Sequence, residues 1–492
     1  MNRLFKRYLL LIGFVLVVVS CAPEPEPRGQ VLYNQYCASC HMAPSIDHLP
    51  KDIWKNSVLP DMAARMQIEE LYNDPSTVQE GFRPKIKLAD WVALEEYILN
   101  LAPEELPETP RPTTKAITGF KEKPLEVDNE NGAFYTYLAM DTTSRNLLVG
   151  NIQVQLFSYD VATGSSTQKY QGTTPITWYS KQKNEEFITE VGILDPSELE
   201  RGKIVKKVEG DTLSIAPLFH RPVHTLVEDL NKDGNLEMVV SEFGNEKGQL
   251  SLVVSSAGGE EKRTLLNQPG CIRTVSKDMD GDGLLDLVVI TSQGNESITV
   301  LYQKESLKFE ARRVLEFPSI YGSSWFELVD YNKDGFVDII TVNGDNADKS
   351  YVHKPYHGMR IHLNDGQNNF TETYFYPLNG ATRVTAHDFD EDGDIDFGVL
   401  STFPNYDEAP ELSFVYLENT DAENYLFSTQ VLTQPNAGRW FLLDKGDVDS
   451  DGDMDIVLSS FTYVFTPVPD ALSKQWSNTN VDLLLLENLI EE

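Results

Sequence analysis

One acidic nine-residue motif occurs five times between residues 229 and 455 of this 492-residue chain and constrains the fold more than any other feature. Its consensus is Asp-x-(Asp/Asn)-x-Asp-Gly-x-x-(Asp/Glu), and successive copies begin 49, 52, 58 and 59 residues apart. Each copy is followed by an apolar stretch typical of a β-strand, and a second apolar stretch comes later in each unit. Repeats of this length have the size of a four-stranded β-propeller blade. The sequence therefore predicts a mainly β chain built from repeated blades.

The motif also predicts metal binding. Side chains with oxygen atoms occupy positions 1, 3, 5 and 9 and can converge when the chain turns sharply at the glycine in position 6. Hard oxygen ligands in that number suit Ca²⁺. An EF-hand would need a glutamate at position 12, where this chain has aliphatic residues or threonine, so the loops are not EF-hands. Asp/Asn-rich turns without metal are the alternative. The predicted ligands of about five calcium ions are Asp229, Asn231, Asp233, Glu237, Asp278, Asp280, Asp282, Asp286, Asp330, Asn332, Asp334, Asp338, Asp388, Asp390, Asp392, Asp396, Asp447, Asp449, Asp451 and Asp455.

The repeat resembles the FG-GAP or VCBS repeats, which are related to the calcium-bearing blades of integrin α-subunit propellers. The resemblance is clear over 219–492, five blades, and implies a calcium-stabilised β-propeller over 115–492. Residues 115–218 contain no intact motif, but their strand-like runs and length leave room for two more blades. That gives seven blades, with eight as the alternative. Propellers usually close by pairing their two ends in one blade, so the apolar strand Val481–Leu486 is predicted to pair with a strand near 116–127.

A second motif, Cys37-Ala38-Ser39-Cys40-His41, lies near the N-terminus. In an exported protein this spacing indicates one covalent c-type haem, because two thiols can attach to one porphyrin and the adjacent histidine can ligate the iron. A redox dithiol or half of a zinc site is the alternative, although no second cysteine pair completes a Cys-rich zinc site. Together with the flank Gly29–Tyr33, the motif resembles the first helix and haem loop of small class I cytochromes c. The resemblance implies a small all-α haem domain over 29–102, preceding the propeller.

Other residues of 29–102 fit that resemblance. Apolar residues in Lys87–Leu101 recur every three or four positions, as in an amphipathic helix, and domains of this family usually end in a helix that packs across the first. Met62 is the predicted distal haem ligand, because it follows a proline-led turn like the distal segment of these cytochromes. Met66, His48 or no protein ligand are the alternatives. The Pro/Glu/Thr-rich stretch 103–114 is a predicted linker.

The N-terminus predicts export and anchoring. Residues 1–20 have a basic start and a short apolar core, as in a signal peptide, and the apolar run is too short for a permanent membrane-spanning helix. The sequence before Cys21 resembles a bacterial lipobox, which implies lipidation of Cys21; ordinary secretion is the alternative. Residues 21–28 form a Pro/Glu-rich tether. These features predict a lipid-anchored protein of the bacterial cell envelope at the outer membrane.

The net charge of the chain excludes one class of binding partner. With 76 acidic and 41 basic residues the net charge is −35, which excludes a nucleic-acid partner because a phosphate backbone needs a basic face.

Cys271 has no partner cysteine and is a predicted small buried apolar side chain. The segment Tyr351–Gly358 groups histidines and tyrosines and is a predicted surface loop, with ligand binding as the alternative.

Three functions follow from these features. The favoured one is one-electron transfer to or from a redox partner protein in the cell envelope, with the propeller as a docking scaffold and without catalytic residues. In the second, the propeller binds a glycan or protein and the haem is secondary. In the third, the propeller is a periplasmic dehydrogenase that passes electrons to its fused cytochrome. A propeller fold alone does not choose between them.

Overall fold

The computed structural model describes residues 26–39, 41–68, 86–141, 144–208, 211–256, 258–345 and 350–490. Within these ranges 29 β-strands form seven sheets. The strands that begin successive sheets lie beside one another in a closed ring, and the last of them contacts the first. Sheets that radiate from such a ring make a seven-bladed β-propeller. The predicted mainly β fold with seven blades is confirmed, and the alternative of eight blades is wrong.

The strands follow one another blade by blade. Two strands precede the first blade: β1 (Thr114–Ala116) and β2 (Phe120–Leu125). Blade 1 contains β3 (Tyr135–Asp141), β4 (Asn146–Asn151), β5 (Gln155–Asp160) and β6 (Ser165–Gln171). Blade 2 contains β7 (Ile176–Gln182), β8 (Glu185–Glu190), β9 (Glu200–Val208) and β10 (Asp211–His220). Blade 3 contains β11 (Pro222–Glu228), β12 (Glu237–Glu242), β13 (Gln249–Ser256) and β14 (Gly259–Leu266). Blade 4 contains β15 (Cys271–Lys277), β16 (Asp286–Thr291), β17 (Ser297–Glu305) and β18 (Lys308–Glu316). Blade 5 contains β19 (Ser323–Val329), β20 (Asp338–Asn343), β21 (Gly358–Asn364) and β22 (Phe370–Pro377). Blade 6 contains β23 (Ala381–His387), β24 (Asp396–Ser401), β25 (Phe414–Asp421) and β26 (Leu426–Val431), and blade 7 contains β27 (Trp440–Gly446), β28 (Asp455–Ser460) and β29 (Leu483–Asn488).

The two N-terminal strands close the ring. β2 pairs antiparallel with β29, from Phe120 opposite Asn488 to Leu125 opposite Leu483, and so supplies the outer strand of blade 7. This confirms the predicted pairing of the two ends. β1 pairs in parallel with β26 and adds a fifth strand to blade 6. The sequence did not indicate this second pairing, and the predicted linker 103–114 therefore ends in a strand at Thr114.

Burial explains the apolar runs that follow the acidic motif. The second strands of blades 3 to 7 are buried at every position. Such strands lie between neighbouring blades on both faces, so their sequences are continuous apolar runs rather than alternating ones. The outer strand β18 is mostly exposed and carries charged residues instead. The core of the propeller thus lies between the blades, close to its axis.

Strand direction assigns every connection to one of two faces. Successive strands of a blade are antiparallel, so the first-to-second and third-to-fourth connections share one face of the propeller. The second-to-third and blade-to-blade connections share the other. All five acidic motifs join the first strand of a blade to its second. They therefore lie on one face, called here the acidic face.

Short helices precede the propeller. They are α1 (Arg28–Tyr36), a 3₁₀ turn (Ile46–His48), α2 (Lys51–Ile53), a π-helical turn (Trp54–Val58), α3 (Leu59–Met66) and α4 (Leu88–Leu101); a further helix, α5 (Asp470–Trp476), lies between β28 and β29. The predicted amphipathic helix at 87–101 is confirmed as α4. It packs against α1, where a Cβ atom at Gly29 would overlap Tyr97. Glycine is therefore needed for this close approach. These helices alone do not identify a fold family, and the cytochrome c domain stays a prediction.

Three strands begin later than their apolar runs predict. The predicted strand Val481–Leu486 begins only at Leu483. Two further apolar runs, Leu412–Leu417 and Ile152–Phe157, also predict strands from their first residues. The first run begins in a 3₁₀ turn (Pro410–Ser413), and its strand starts at Phe414. The second run begins in a turn, and its strand starts at Gln155. Apolar composition alone does not separate a strand from the buried turn that leads into it. Among the described helices, none is long and apolar enough to cross a bilayer.

Candidate functional sites

The acidic loops share one backbone conformation. The residue at position 4 and the glycine at position 6 both have positive φ in all five copies, for example Lys232 (58°) and Gly234 (93°). Only glycine adopts the position-6 conformation without steric cost. In the first four loops the position-1 carboxylate accepts a hydrogen bond from this glycine N–H at 2.9–3.0 Å. The repeated sequence therefore folds into one repeated turn that collects its acidic side chains.

The acidic residue at position 9 has an additional role that the sequence did not indicate. In all five loops it is fully buried or nearly so. One of its oxygens accepts the N–H of the position-2 residue, as between Asp286 and Met279 at 2.9 Å. In blades 4 to 7 its other oxygen accepts an N–H near the end of the third strand, as between Asp286 and Gln303 at 2.8 Å. The position-9 carboxylate thus joins the loop to the middle of its blade.

In blades 4 to 7 an amide side chain also holds the segment that carries the position-9 carboxylate, and sequence reasoning missed these amides. The residues are Gln303, Asn364, Asn419 and Asn488, near the ends of the third strands. Each donates a side-chain hydrogen bond to the carbonyl just before the position-9 acid, at 2.9–3.1 Å. Gln303 also donates to the carbonyl of Leu230, in the loop of the preceding blade. The only signal in sequence is an Asn or Gln at the end of each second apolar run, at a spacing that varies between blades.

Carboxylate oxygens converge in three of the loops. In the loops of blades 4, 6 and 7, oxygens from three carboxylates lie within 4.8 Å of one another. The groups are Asp278, Asp280 and Asp282; Asp388, Asp390 and Asp396; and Asp447, Asp449 and Asp455. In blades 3 and 5 position 3 is Asn231 or Asn332, and its amide donates to the position-5 carboxylate at 3.0 Å. Position 5 joins a converging group only in blade 4, and position 9 only in blades 6 and 7.

In blade 4 the Lys304 ammonium group pairs with Asp280 at 2.7 Å, whereas the groups of blades 6 and 7 contain carboxyl groups with raised pKa values. Burial, together with the nearby Asp390, raises the pKa of Asp396 to about 7. Burial likewise raises the pKa of Asp455 to about 6, together with Asp449 and Asp451. The Oδ1 atom of Asp388 is buried without a hydrogen-bond partner. A bound cation would compensate both the repulsion and this unpaired oxygen.

The predicted haem residues are only partly within the described ranges. Cys40 and the predicted lipidation site Cys21 lie outside them. Cys37 follows α1 directly, and burial raises the pKa of its thiol to about 12. His41 has its Nδ1 atom 3.0 Å from the Met42 carbonyl oxygen. Cys37 and Met62 both border the apolar cluster formed by the helices, and so does Met66.

The helices rest on the propeller face opposite the acidic loops. Arg65 of α3 pairs with Glu246, in the second-to-third connection of blade 3, at 3.4 Å. Ile320, in the connection between blades 4 and 5, packs into the apolar cluster of the helices. The linker contacts both parts, because Thr109 donates to Asn379 at 2.7 Å and the Lys51 N–H donates to the Pro103 carbonyl at 2.8 Å.

The histidine- and tyrosine-rich segment 351–358 forms part of this contact rather than a free surface loop. The Tyr356 hydroxyl donates to the His48 carbonyl at 3.0 Å, and their rings lie 4.8 Å apart. The ring of Tyr321 stacks on that of Tyr356, with ring centroids 4.8 Å apart. His357 is fully buried. The prediction of a surface loop was therefore wrong for Tyr356 and His357, whereas the predicted burial of Cys271 is confirmed.

Part of the chain matches a known repeat family. Residues 278–341 match the family model of the FG-GAP-like repeat, a stretch that contains the acidic loops of blades 4 and 5. No curated protein matches this chain. Solved structures similar to it include the N-terminal domain of Nup159 (TM-score 0.41, 11% identity, covering 76% of this chain and 97% of that one). They also include YCF48 bound to D1 peptide (TM-score 0.45, 9% identity, 76% and 97% covered). A third is the Cps50 (Swd1) β-propeller domain of Myceliophteria thermophila (TM-score 0.44, 9% identity, 74% and 99% covered).

Proposed function

We propose that this chain is a cell-envelope protein in which a calcium-loaded FG-GAP-type propeller serves as the scaffold for one covalent c-type haem. The haem would be held through Cys37 and Cys40, and His41 and Met62 would ligate its iron. A bound haem supplies a one-electron couple. The propeller would position that couple for a redox partner protein, and lipidation of Cys21 would hold the molecule at the outer membrane.

The observation that carries the haem assignment is the C-x-x-C-H motif at the end of a helix that packs against a second helix. Two further features support it. The Nδ1 atom of His41 lies at hydrogen-bond distance from a backbone carbonyl, which leaves Nε2 as the ligand atom, as is usual for metal-bound histidine. Met62 and Cys37 border one apolar cluster, as the two sides of a haem site would require.

The alternative distal ligands differ in their surroundings. The ring of His48 lies against Tyr356 of the propeller, and its Nδ1 atom is buried without a partner. Ligation by His48 would require that this contact be broken. Met66 is four residues after Met62 and borders the same cluster. The proline-led turn before Met62 favours that residue, and Met66, His48 and a haem without a distal protein ligand stay the alternatives.

Calcium in the acidic loops is supported by the converging carboxylates and the unpartnered oxygen of Asp388. The donor set consists only of carboxylate and amide oxygens, which suits a hard cation. Metal in all five loops would neutralise part of the charge of −35.

Haem staining of denatured protein tests the attachment directly. The full chain, produced with a c-type maturation system, should carry covalent haem that survives denaturing electrophoresis. A Cys37→Ala/Cys40→Ala variant should lose the stain, whereas Cys271→Ala should keep it because that thiol is buried in the propeller. Met62→Ala should abolish the far-red absorption band of a thioether–iron bond and lower the reduction potential, and Met66→Ala should do neither.

Two results would contradict this assignment. Covalent haem in the double cysteine variant would place the attachment elsewhere. Loss of the far-red band in Met66→Ala but not in Met62→Ala would exchange the roles of the two methionines.

A binding function of the propeller is the second candidate, because the FG-GAP-like repeat is the one feature that a family match supports. Its ligand would be a glycan or a protein of the envelope. The third candidate, a dehydrogenase, predicts that a small substrate added to the full chain reduces the haem without any partner protein. Reduction by sugars or alcohols in that experiment would favour the enzyme over the electron carrier.

A further inference from the structure

A ring of seven side chains crosses the central channel of the propeller. The third residue of each first strand contributes one member: Tyr137, Trp178, His224, Arg273, Trp325, Arg383 and Leu442. In all seven blades the register between the first and second strands shifts just before this residue. A β-bulge re-aims the side chain that follows it. The seven residues therefore form one layer, called here the channel ring.

Four pairs of neighbouring members of the channel ring are in contact. The rings of Tyr137 and Trp178 are 5.5 Å apart, and those of Trp178 and His224 are 4.0 Å apart. On the other side, the guanidinium groups of Arg273 and Arg383 lie 4.2 and 4.5 Å from the ring of Trp325. Arg273 comes from the blade before Trp325 and Arg383 from the blade after it. Two cations thus flank one indole inside the propeller.

The two arginines differ in how their charge is compensated. Arg273 donates to the Glu327 carboxylate at 2.8 Å, and the same oxygen accepts the indole N–H of Trp325 at 3.0 Å. The one hydrogen bond found for the Arg383 guanidinium within the described ranges goes to the carbonyl of its own neighbour, Thr382, at 2.8 Å. Among the same residues, no carboxylate lies within ion-pair distance of Arg383. Most of its five donors are therefore available to a ligand.

The surroundings of Arg383 are unfavourable for a positive charge. Burial and the nearby Arg273 lower the pKa of Arg383 to about 10, and the attraction of Asp345 offsets only part of this shift. On the other side of Arg273 in the ring, His224 is also buried, and its Nδ1 atom has no hydrogen-bond partner. The Arg383 side chain is half-buried and has no ion-pair partner among the described residues. Partial desolvation of an unpaired charge is unfavourable, so an anion that paired with Arg383 would stabilise this position. Solvent reaches this layer, because the side chains of Arg273 and Glu327 remain 18% and 19% exposed.

We propose that the channel ring binds a small organic carboxylate, which pairs with Arg383 and rests its apolar part on the aromatic side chains of the ring. Guanidinium binds carboxylate through two parallel hydrogen bonds. The apolar members Tyr137, Trp178 and Leu442 provide the surface for a hydrocarbon or aromatic body. The rest of the molecule is strongly acidic, so its surface repels anions, and the site depends on the two arginines rather than on the general charge.

Calorimetric titration of the full calcium-loaded chain with benzoate tests the proposal. Benzoate should bind, and benzamide, which has the same shape without the charge, should not. Arg383→Gln should weaken benzoate binding at least about tenfold, the loss expected for one charge-assisted hydrogen bond. Arg313→Gln is the matched control, because that arginine is exposed on β18 and pairs with Glu316; it should bind benzoate like the unchanged protein.

A second variant moves the affinity in the opposite direction. Glu327→Gln removes the carboxylate that neutralises Arg273, so benzoate should bind several-fold more tightly. This variant keeps the proposal testable if Arg383→Gln fails to fold. Benzoate affinity that is unchanged in Arg383→Gln, or lower in Glu327→Gln, would overturn the proposal. Equal binding of benzamide, or binding of sulfate as strong as that of benzoate, would overturn the assignment to a carboxylate.

Discussion

At the scale of single residues, Glu296 shows how the fold controls protonation outside the acidic loops. Its carboxylate lies in the second-to-third connection of blade 4 and accepts hydrogen bonds from Gly322 and Ser323 at 3.1 and 2.7 Å. Burial nevertheless raises its pKa to about 7, because desolvation outweighs these hydrogen bonds and the attraction of Lys354. The folded state therefore binds the proton of Glu296 more tightly than the unfolded chain does.

This shift predicts a pH dependence of stability. Since the folded pKa is the higher one, the contribution of Glu296 is most favourable below the unfolded pKa of about 4.5 and is lost as pH rises towards 7. A shift of this size corresponds to at most about 3 kcal/mol in the free energy of unfolding. Glu296→Gln should remove that part of the pH dependence between pH 5 and 8, measured by denaturant unfolding. Glu310→Gln, at an exposed position of β18, is the control; equal pH profiles of Glu296→Gln and the unchanged protein would contradict the prediction.

Residues such as Glu296 and Arg383 also mark the limit of sequence reasoning. The loop carboxylates were predictable because they recur in one local pattern with a fixed glycine. Glu296 and Arg383 belong to no pattern, and their properties arise from desolvation by segments that are distant in sequence. The channel ring is a repeated position too, but its members share neither size nor charge, so only the common bulge identifies it.

At the scale of elements, the acidic loop and its blade form one cooperating unit. The position-9 carboxylate joins the loop to the third strand, and the amide of Gln303 joins it to the loop of the preceding blade. The sequence predicted the five loops and the strands that follow, because local turn chemistry and apolar runs define them. The sequence contains no acidic motif for blades 1 and 2. The structure explains its absence in blade 2, because only Lys183 and Asn184 separate β7 from β8 and leave no room for nine residues.

The loops predict that calcium stabilises the propeller. A ligand that binds only the folded state adds about 2.7 kcal/mol per site at a hundredfold excess over its dissociation constant. A chelator should therefore lower the melting temperature of the full chain in scanning calorimetry. The Asp280→Ala/Asp282→Ala variant should lose one of the five sites. Calcium should therefore raise its melting temperature by less than it raises that of the unchanged protein. Asp365→Asn, an exposed acid in the β21–β22 turn on the same face, should keep the whole increase, and identical melting with and without chelator would show that the loops are turns without metal.

At the scale of the whole molecule, the ring is closed by segments more than 350 residues apart. The side chain of Phe120 on β2 enters the apolar cluster between blades 6 and 7, together with Leu484 and Leu486 of β29. Its ring meets those of Phe389 and Tyr416 edge to face, with centroids 6.0 and 5.1 Å apart. One N-terminal strand therefore covers the last blade and seals a core made by the C-terminal half of the chain.

This closure predicts that one side chain on β2 affects the stability of the entire propeller. Phe120→Ala should lower the free energy of unfolding by about 3–5 kcal/mol, the usual cost of deleting a buried aromatic side chain. Lys121→Ala is the matched control on the same strand, because its exposed side chain makes only a surface ion pair with Glu487 at 3.5 Å, worth about 1 kcal/mol or less. Hydrogen exchange of the β29 amides should accelerate in Phe120→Ala alone, because β29 would become a frayed edge strand once β2 detaches. If both substitutions cost the same and β29 stays protected, closure does not depend on this contact, and the ring must be held by the packing of the innermost strands alone.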